Sequence, residues 1–242
     1  MIRHAMVLAA GLGQRMRPLT ADTAKPLLLL QGRSLLDHAL DRLAEAGVEQ
    51  AVVNAHWKAE RVAAALAARR GQRPRTRLQL EPDLLETGGG IRRALPLLGE
   101  APFAVVNGDA HWLEGPVPAL RRLDEGFDPE RMDALLLLVR AVQVEGEVGR
   151  GDFFLDPQGR LRRPRGVEVA PYLFGGVQVM APGLVAPEAE GRFSLNRCFD
   201  RAMAAGRLFG LVHDGAWFHL STPADLPRTE RFLREGWQRG WL

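Results

Sequence analysis

The chemistry-bearing residues at the front of the chain are Gly11, Gly13, Arg15, Arg17 and Lys25. They lie in the stretch Leu8-Ala9-Ala10-Gly11-Leu12-Gly13-Gln14-Arg15-Met16-Arg17-Pro18-Leu19-Thr20, with Lys25-Pro26 five residues on. Glycine removes the side chain where a polyanion needs bare backbone N–H groups, and the three cations add fixed positive charge around the same spot. These residue types at this spacing suit a cradle for a triphosphate, with Ala10, Gly11 and Gly13 as backbone contacts. Two familiar glycine loops do not match. A dinucleotide fingerprint needs a third glycine where Met16 stands, and a Walker loop ends in Gly-Lys-Ser/Thr. Of the 32 basic residues only Lys25 and Lys58 are lysine. An ammonium point charge acts differently from a guanidinium fork at a phosphate, so retention of lysine at position 25 is a separate hint that it belongs to the site.

The second chemical feature is Val105-Val106-Asn107-Gly108-Asp109. An apolar strand ending in Asn-Gly-Asp projects a carboxylate from its carboxyl end, and a hard cation bridging phosphates takes such an oxygen ligand. Alone, the tripeptide is equally an ordinary turn; beside the cradle, Asp109 becomes the first candidate metal ligand, with Asn107 next to the nucleotide. Leu85-Glu86-Thr87-Gly88-Gly89-Gly90 reads as a loop whose three glycines let backbone pass close to a flat ligand. Further on, Gly149-Arg150-Gly151-Asp152-Phe153 sets a carboxylate beside bare backbone, as sugar hydroxyls require. Gly151 and Asp152 are therefore the first acceptor candidates, with Glu168 and Asn196 behind them; for the latter pair a surface or capping role is equally open.

These residues need elements to position them. Ala5 to Ala9 is a short apolar run that reads as a buried parallel strand, which places the glycine loop at its carboxyl end, where open α/β sheets bind ligands. Ser34-Leu35-Leu36-Asp37 has the form of a capping box, and apolar spacing through Leu40 and Leu43 to Gly47 predicts an amphipathic helix. Ala51–Asn54 is a second strand, Ala59 to Arg69 a second helix, Arg77 to Leu80 a third strand and Phe103 to Asn107 a fourth. The alternation predicts a doubly wound, mostly parallel sheet. Ala134 to Val139 and Tyr172 to Val177 add strands, Asp156-Pro157-Gln158-Gly159 a hairpin turn, and the sheet becomes mixed with a smaller lobe on the acceptor side.

Composition sets the outer limits. The chain has 242 residues and no low-complexity break, which reads as one domain over 1–242, with a nucleotide-binding half over about 1–130 and a sugar-phosphate half over about 131–242. No apolar run is long enough to span a bilayer, and no signal-peptide pattern precedes the glycine loop, so a cytoplasmic location and no membrane partner are expected. Acidic and basic residues are interspersed at a net charge of +3, which argues against nucleic acid. The single cysteine, Cys198, excludes an internal disulfide and a cysteine-based zinc cluster and reads as a buried helical thiol. Composition leaves the oligomeric state open.

The stretch from Leu8 to Lys25 resembles the signature of the sugar-1-phosphate nucleotidyltransferases, L-A-A-G-x-G-x-R-[M/L]-x-P-L-T followed by P-K-P, with Ala24 where the family usually has proline. The resemblance covers nearly the whole chain. It implies a Rossmann-like nucleotide-diphospho-sugar transferase fold, and an NTP and a sugar 1-phosphate as partners. It also implies Mg²⁺ as cofactor, with Mn²⁺ as the alternative. In its light Arg15, Lys25 and Asp109 are the expected catalytic residues. Leu85 to Gly90 corresponds to the family's L-x-T-G-G/A segment and is expected at the nucleobase, with Glu81 or the backbone of Thr87 and Gly88 supplying the base-edge hydrogen bonds. Trp217-Phe218-His219-Leu220-Ser221-Thr222 aligns with W-x-D-V-G-T, whose Asp is normally the second metal ligand; here that position is His219. A neutral imidazole either ligates directly, which suits Mn²⁺ better than Mg²⁺, or hydrogen-bonds a phosphate or a metal-bound water.

Most sugar-nucleotide pyrophosphorylases carry a Glu-Lys-Pro segment, which Arg163-Pro164-Arg165 and Glu168 do not reproduce. The Gly149–Phe153 stretch instead resembles the short N-acetylmuramate-1-phosphate uridylyltransferases of peptidoglycan recycling. Mannose-1-phosphate or other hexose-1-phosphate nucleotidyl transfer, with guanine in place of uracil, is the alternative. A reading from another class is a non-catalytic nucleotide-sugar sensor: His219 and Ser221 favour it, and the intact Arg15, Lys25 and Asp109 oppose it.

Overall fold

The computed structural model describes residues 1–144 and 149–236. Seven strands form one sheet: β1 (His4–Leu8), β2 (Gln50–Ala55), β3 (Arg75–Leu80), β4 (Phe103–Asn107), β5 (Ala134–Arg140), β6 (Tyr172–Met180) and β7 (Leu208–Val212). Their order across the sheet is β7-β5-β6-β4-β1-β2-β3. Every neighbouring pair is parallel except those made by β6, which runs antiparallel to both β4 and β5. The expected mixed, mostly parallel sheet is present.

Strand periodicity divides the core between the two faces. Ala5 and Val7 of β1 pack with Leu36, Leu40 and Leu43 of α1 (Leu35–Glu45) and with α2 (Ala59–Ala68). Met6, between them, packs on the opposite side with Ile91 and Leu98 of α3 (Glu86–Leu98). A strand buried on both faces of a sheet reads as a continuous apolar run, which is why β1 shows no alternation. α4 (Ala119–Gly126) joins the first face and α5 (Asn196–Ala204) the second, where Cys198 is buried as expected. α6 (Asp225–Glu235) packs against a small third cluster around Met16 and Leu30.

The start of α1 follows the capping-box reading: Ser34 Oγ accepts from the Asp37 backbone N–H at 3.0 Å and donates to the Asp37 carboxylate at 2.6 Å. Strand β7 is not evident from periodicity, since Gly210 interrupts its five residues. In the fold a Cβ at Gly210 would lie 2.8 Å from a Leu161 methyl, so close packing selects the glycine. The smaller lobe is the hairpin Phe154–Leu155 with Leu161–Arg162. Its turn is held by Asp156 Oδ1, which accepts from the N–H groups of Gln158 and Arg160 at 2.9 and 2.8 Å.

One expectation is corrected. The glycine triplet is not a loop: Gly88, Gly89 and Gly90 are buried in the first turns of α3. The N–H groups of Gly88 and Gly89 donate to the Phe193 carbonyl at 3.0 and 3.1 Å, satisfying helix-start donors that have no partner within the helix. Glycine disfavours helix by about 1 kcal/mol per residue relative to alanine, so local propensity predicts a loop. Tertiary packing reverses this, because a Cβ at Gly88 would overlap the Phe193 ring.

Candidate active site

The site forms where β1 and β4 end side by side. Leu8 pairs with Asn107 in the parallel register, and the Gly108 N–H donates to the Leu8 carbonyl at 2.9 Å. A Cβ at Gly108 would stand 3.0 Å from that carbonyl oxygen, so the Asn-Gly-Asp turn needs its glycine for this approach. The first loop then rises from Ala9 through Gly13, which adopts a left-handed conformation (φ +62°) and accepts from Thr20 Oγ1 at 2.8 Å. A short 3₁₀ turn, Lys25–Leu27, carries the lysine back over the ends of the strands.

Lys25 and Asp109, 84 residues apart in the chain, meet there: Nζ donates to Asp109 Oδ2 at 2.5 Å. Lys25 is largely buried, at 14% side-chain exposure, and Asp109 is more open at 34%. The pair leaves Asp109 Oδ1 and further ammonium protons free to meet ligand. Both residues line a cavity of about 550 Å³ with Ala10, Gly11, Gly13, Arg15, Asn54 and Thr87. A contiguous cavity of about 180 Å³ shares Arg15, Lys25, Asn107 and Asp109 and is closed by Phe174–Gly176 and Trp217–Ser221. The exposed Arg15 makes no hydrogen bond or ion pair among the described residues and reaches both spaces. Arg17 is exposed and lines neither.

Two features missed by periodicity shape these walls. Asn54, the fifth residue of β2, is buried: Oδ1 accepts from the Ala9 N–H at 2.7 Å, and Nδ2 donates to Glu81 Oε1 at 2.8 Å. It therefore anchors the root of the glycine loop; a polar residue near the carboxyl end of a buried strand is the signal that marks it. On the other side, strand β6 carries a register shift between Phe174 and Gln178, with Gly176 at φ +76°. A Cβ at Gly176 would lie 2.9 Å from Asn107 Nδ2, so the bulge lays bare backbone beside the Lys25–Asp109 pair.

Several expected site residues lie elsewhere. Glu81 is buried and does not line the larger cavity; its carboxylate also accepts from the Leu85 N–H at 3.2 Å and so holds Asn54 and the α3 start in place. Gly88 has its N–H engaged by Phe193, which leaves Thr87 as the member of the expected trio on the cavity wall. Thr87 Oγ1 accepts from the Leu195 N–H at 2.9 Å. Asp152 lines neither cavity: Oδ2 accepts from the Phe174 N–H at 2.8 Å, so it fastens the strand that carries Gly175 and Gly176. Gly151 (φ +70°) has no room for a Cβ against the Ala170 carbonyl and serves the turn. Glu168 pairs with Arg162 at 2.7 Å and accepts from the Arg165 N–H, which lowers its pKa; Asn196 accepts from Arg163. Glu168 is tied to the hairpin of the small lobe and Asn196 opens α5, and neither lines the two cavities.

His219 lines the smaller cavity with Asp109. It is brought there by antiparallel pairing of Trp217–Phe218 with His111–Trp112, which follow the turn after β4. Burial lowers the His219 pKa, with Arg15 and Lys25 adding to the effect against the pull of Asp225 and Asp109, so the ring is neutral near pH 7. No group of three or more His, Cys, Asp or Glu side chains able to hold a metal occurs among the described residues. The donor set at this site is one carboxylate, Asp109, and one neutral imidazole, His219. That set fits a hard divalent cation only when phosphate oxygens and water complete its shell, which is how Mg²⁺ is commonly held at nucleotide sites.

Comparison with known proteins agrees with this architecture. The nucleotidyl transferase family matches residues 4–145. An N-acetylmuramate alpha-1-phosphate uridylyltransferase of Caulobacter vibrioides is 45% identical over 96% of this chain and 97% of its own length. A mannose-1-phosphate guanylyltransferase of Mycobacterium tuberculosis is 36% identical over 96% of this chain and 65% of its own. The crystal structure of HddC from Yersinia pseudotuberculosis superposes with a TM-score of 0.78 at 19% identity, over 96% of this chain and 100% of that one.

Proposed function

Since the chain belongs to the nucleotidyl transferase family, we propose that it transfers the uridylyl group of UTP to N-acetylmuramate 1-phosphate and releases pyrophosphate. The observation that carries the reading is the Lys25–Asp109 pair at the junction of the two cavities, with Arg15 open to both. The identity to the Caulobacter uridylyltransferase over almost the whole of both chains supports the choice of substrates.

In this reading each cavity takes one reactant. The larger one, with bare backbone at Gly11 and Gly13 and the Thr87 wall, takes the nucleotide; the smaller one, floored by Gly175 and Gly176, takes the sugar 1-phosphate. A phosphate oxygen of the sugar 1-phosphate attacks the α-phosphorus, the new P–O bond forms as the bond to the β-phosphate bridging oxygen breaks, and pyrophosphate leaves with that electron pair. A phosphate monoester is largely dianionic at neutral pH, so the attack needs no general base, and catalysis is positioning plus charge stabilisation. Lys25 lies where the α-phosphate and the attacking phosphate meet, and its buried ammonium offsets the charge crowded there. Arg15 faces the leaving pyrophosphate. A divalent cation held by Asp109, with His219 beside it, would neutralise phosphate charge when bound. Asn54 and Glu81 act at one remove by fixing the Ala9 N–H at the root of the loop.

Guanylyl transfer to mannose 1-phosphate is the second reading, favoured by the 36% identity to the mycobacterial enzyme. Pyrophosphate release from purified protein with UTP or GTP, crossed with N-acetylmuramate, N-acetylglucosamine and mannose 1-phosphates and with Mg²⁺ or Mn²⁺, decides between them. Fastest release with UTP and N-acetylmuramate 1-phosphate is expected; fastest release with GTP and mannose 1-phosphate would replace the first reading by the second.

A further inference from the structure

Behind the small cavity lies a third, of about 860 Å³, which shares Trp217, Phe218 and His219 with it. Its walls include the apolar side chains of Val139, Trp217, Phe218 and Phe232, and among the described residues Arg228 of α6 is the one Lys or Arg that lines it. Three carboxylates also border the space, and each is already engaged. Asp214 pairs with Arg122 at 2.8 Å, and Glu114 accepts from Trp112 Nε1 and the Ala119 N–H. Asp225 Oδ2 accepts from the backbone of Ser221 and Thr222 at 2.8 and 2.6 Å. Arg228 is held more loosely: its Nη1 is ion-paired with Asp225 Oδ1 at 3.6 Å, too long for a hydrogen bond, and its guanidinium makes no hydrogen bond among the described residues.

A half-exposed guanidinium with no hydrogen bond among the described residues, in a cavity whose apolar Trp217 and Phe218 also line the small one, matches a carboxylate carried on a short alkyl group. N-acetylmuramate differs from N-acetylglucosamine by such a group, a lactyl ether with one methyl and one carboxylate. We propose that this cavity receives the carboxylate-bearing substituent of the acceptor sugar, that Arg228 pairs with the carboxylate, and that the Trp217–Phe232 wall takes the methyl. The proposal rests on the reading of the acceptor as N-acetylmuramate 1-phosphate.

Steady-state kinetics of wild type, Arg228→Met, Arg228→Gln and Arg228→Lys with N-acetylmuramate 1-phosphate and N-acetylglucosamine 1-phosphate test it, with folding of each variant checked by circular dichroism. Loss of a charge-assisted hydrogen bond predicts a KM for N-acetylmuramate 1-phosphate raised about 10- to 100-fold in Arg228→Met and Arg228→Gln. The KM for UTP should stay within about twofold, the preference over N-acetylglucosamine 1-phosphate should shrink by the same factor as the KM rises, and Arg228→Lys should recover part of the loss. If wild type uses N-acetylmuramate 1-phosphate and folded Arg228 variants keep its KM, or lose both sugars equally, the subsite is refuted while the reaction assignment stands. If wild type turns over another sugar 1-phosphate and not this one, both fall.

Discussion

Two charges of opposite sign meet at Lys25 and Asp109, and the pair has a consequence that neither residue has alone. Lys25→Met removes the buried ammonium and leaves the Asp109 carboxylate unpaired where the proposed reaction places the substrate phosphates. Loss of one preorganised charge at a developing phosphoryl charge costs on the order of 10²-fold or more in kcat. Lys25→Arg should not restore it, since a planar fork cannot replace a compact ammonium held 2.5 Å from Asp109 Oδ2. Pyrophosphate-release assays on both variants measure this, and a kcat near that of wild type in either would remove Lys25 from the role given to it. Gly11 supplies the opposite case: a Cβ there meets nothing within 4 Å. Gly11→Ala should therefore keep the wild-type melting temperature and raise the KM for the nucleotide.

At the scale of elements, the amino end of α3 is packed against the root of the glycine loop. A Cβ at Gly90 would fall 2.8 Å from Asn54 Nδ2 and 2.9 Å from Glu81 Oε1, inside the hydrogen bond that the two share. Alanine gains about 1 kcal/mol of helix propensity over glycine, and breaking a buried hydrogen bond to a carboxylate costs about 1–3 kcal/mol before the overlap is counted. The loss wins. Gly90→Ala should lower the melting temperature and also raise the KM for the nucleotide, because Asn54 releases the Ala9 N–H; a melting temperature at or above wild type would contradict this packing. Strand β7 carries a pH dependence of its own. His213, just beyond it, is buried with Nε2 donating to the Leu113 carbonyl at 3.0 Å, and burial lowers its pKa from 6.5 despite the opposing pull of Leu113 and Glu114. A ring that resists protonation when folded and accepts it when unfolded contributes stability that is full above pH 6.5 and is lost as the pH falls below it. Melting curves from pH 7.5 to 5 should show wild type losing stability more steeply than His213→Gln. Parallel slopes would mean that His213 titrates normally.

For the whole molecule, the larger cavity, proposed above for the nucleotide, is lined from β1, β2, α3 and β4 and exists only when the sheet is formed, so a ligand that fills it stabilises the fold by mass action. At a concentration of about 100 times Kd, a ligand bound only by the folded state adds about 2.7 kcal/mol. For a chain of this size that corresponds to a rise of roughly 5–10 °C in Tm. UTP with a divalent cation should produce such a rise and GTP a smaller one; an equal or larger rise with GTP would favour the guanylyl reading. No helix of the described residues is long and apolar enough to cross a membrane.

The sequence by itself determined the parts whose meaning is local. Gly11, Gly13, Arg15 and Lys25 lie within fifteen residues, and Asn107-Gly108-Asp109 is a strand end read directly from its apolar run, so both halves of the proposed phosphate site were legible before any fold was known. The α1 cap and the Asp156 turn were legible for the same reason, because their hydrogen bonds close within four residues. Tertiary structure decided whatever depends on partners distant in the chain. It converted the Gly88–Gly90 loop into a helix start held by Phe193, and it moved Glu81 and Asp152 from ligand contacts to the support of Asn54 and Phe174. It also brought His219 beside Asp109, 110 positions away, through the pairing of Trp217–Phe218 with His111–Trp112. A buried polar group takes the nearest partner in space, and the spacing of residues along a chain carries no record of which partner that is.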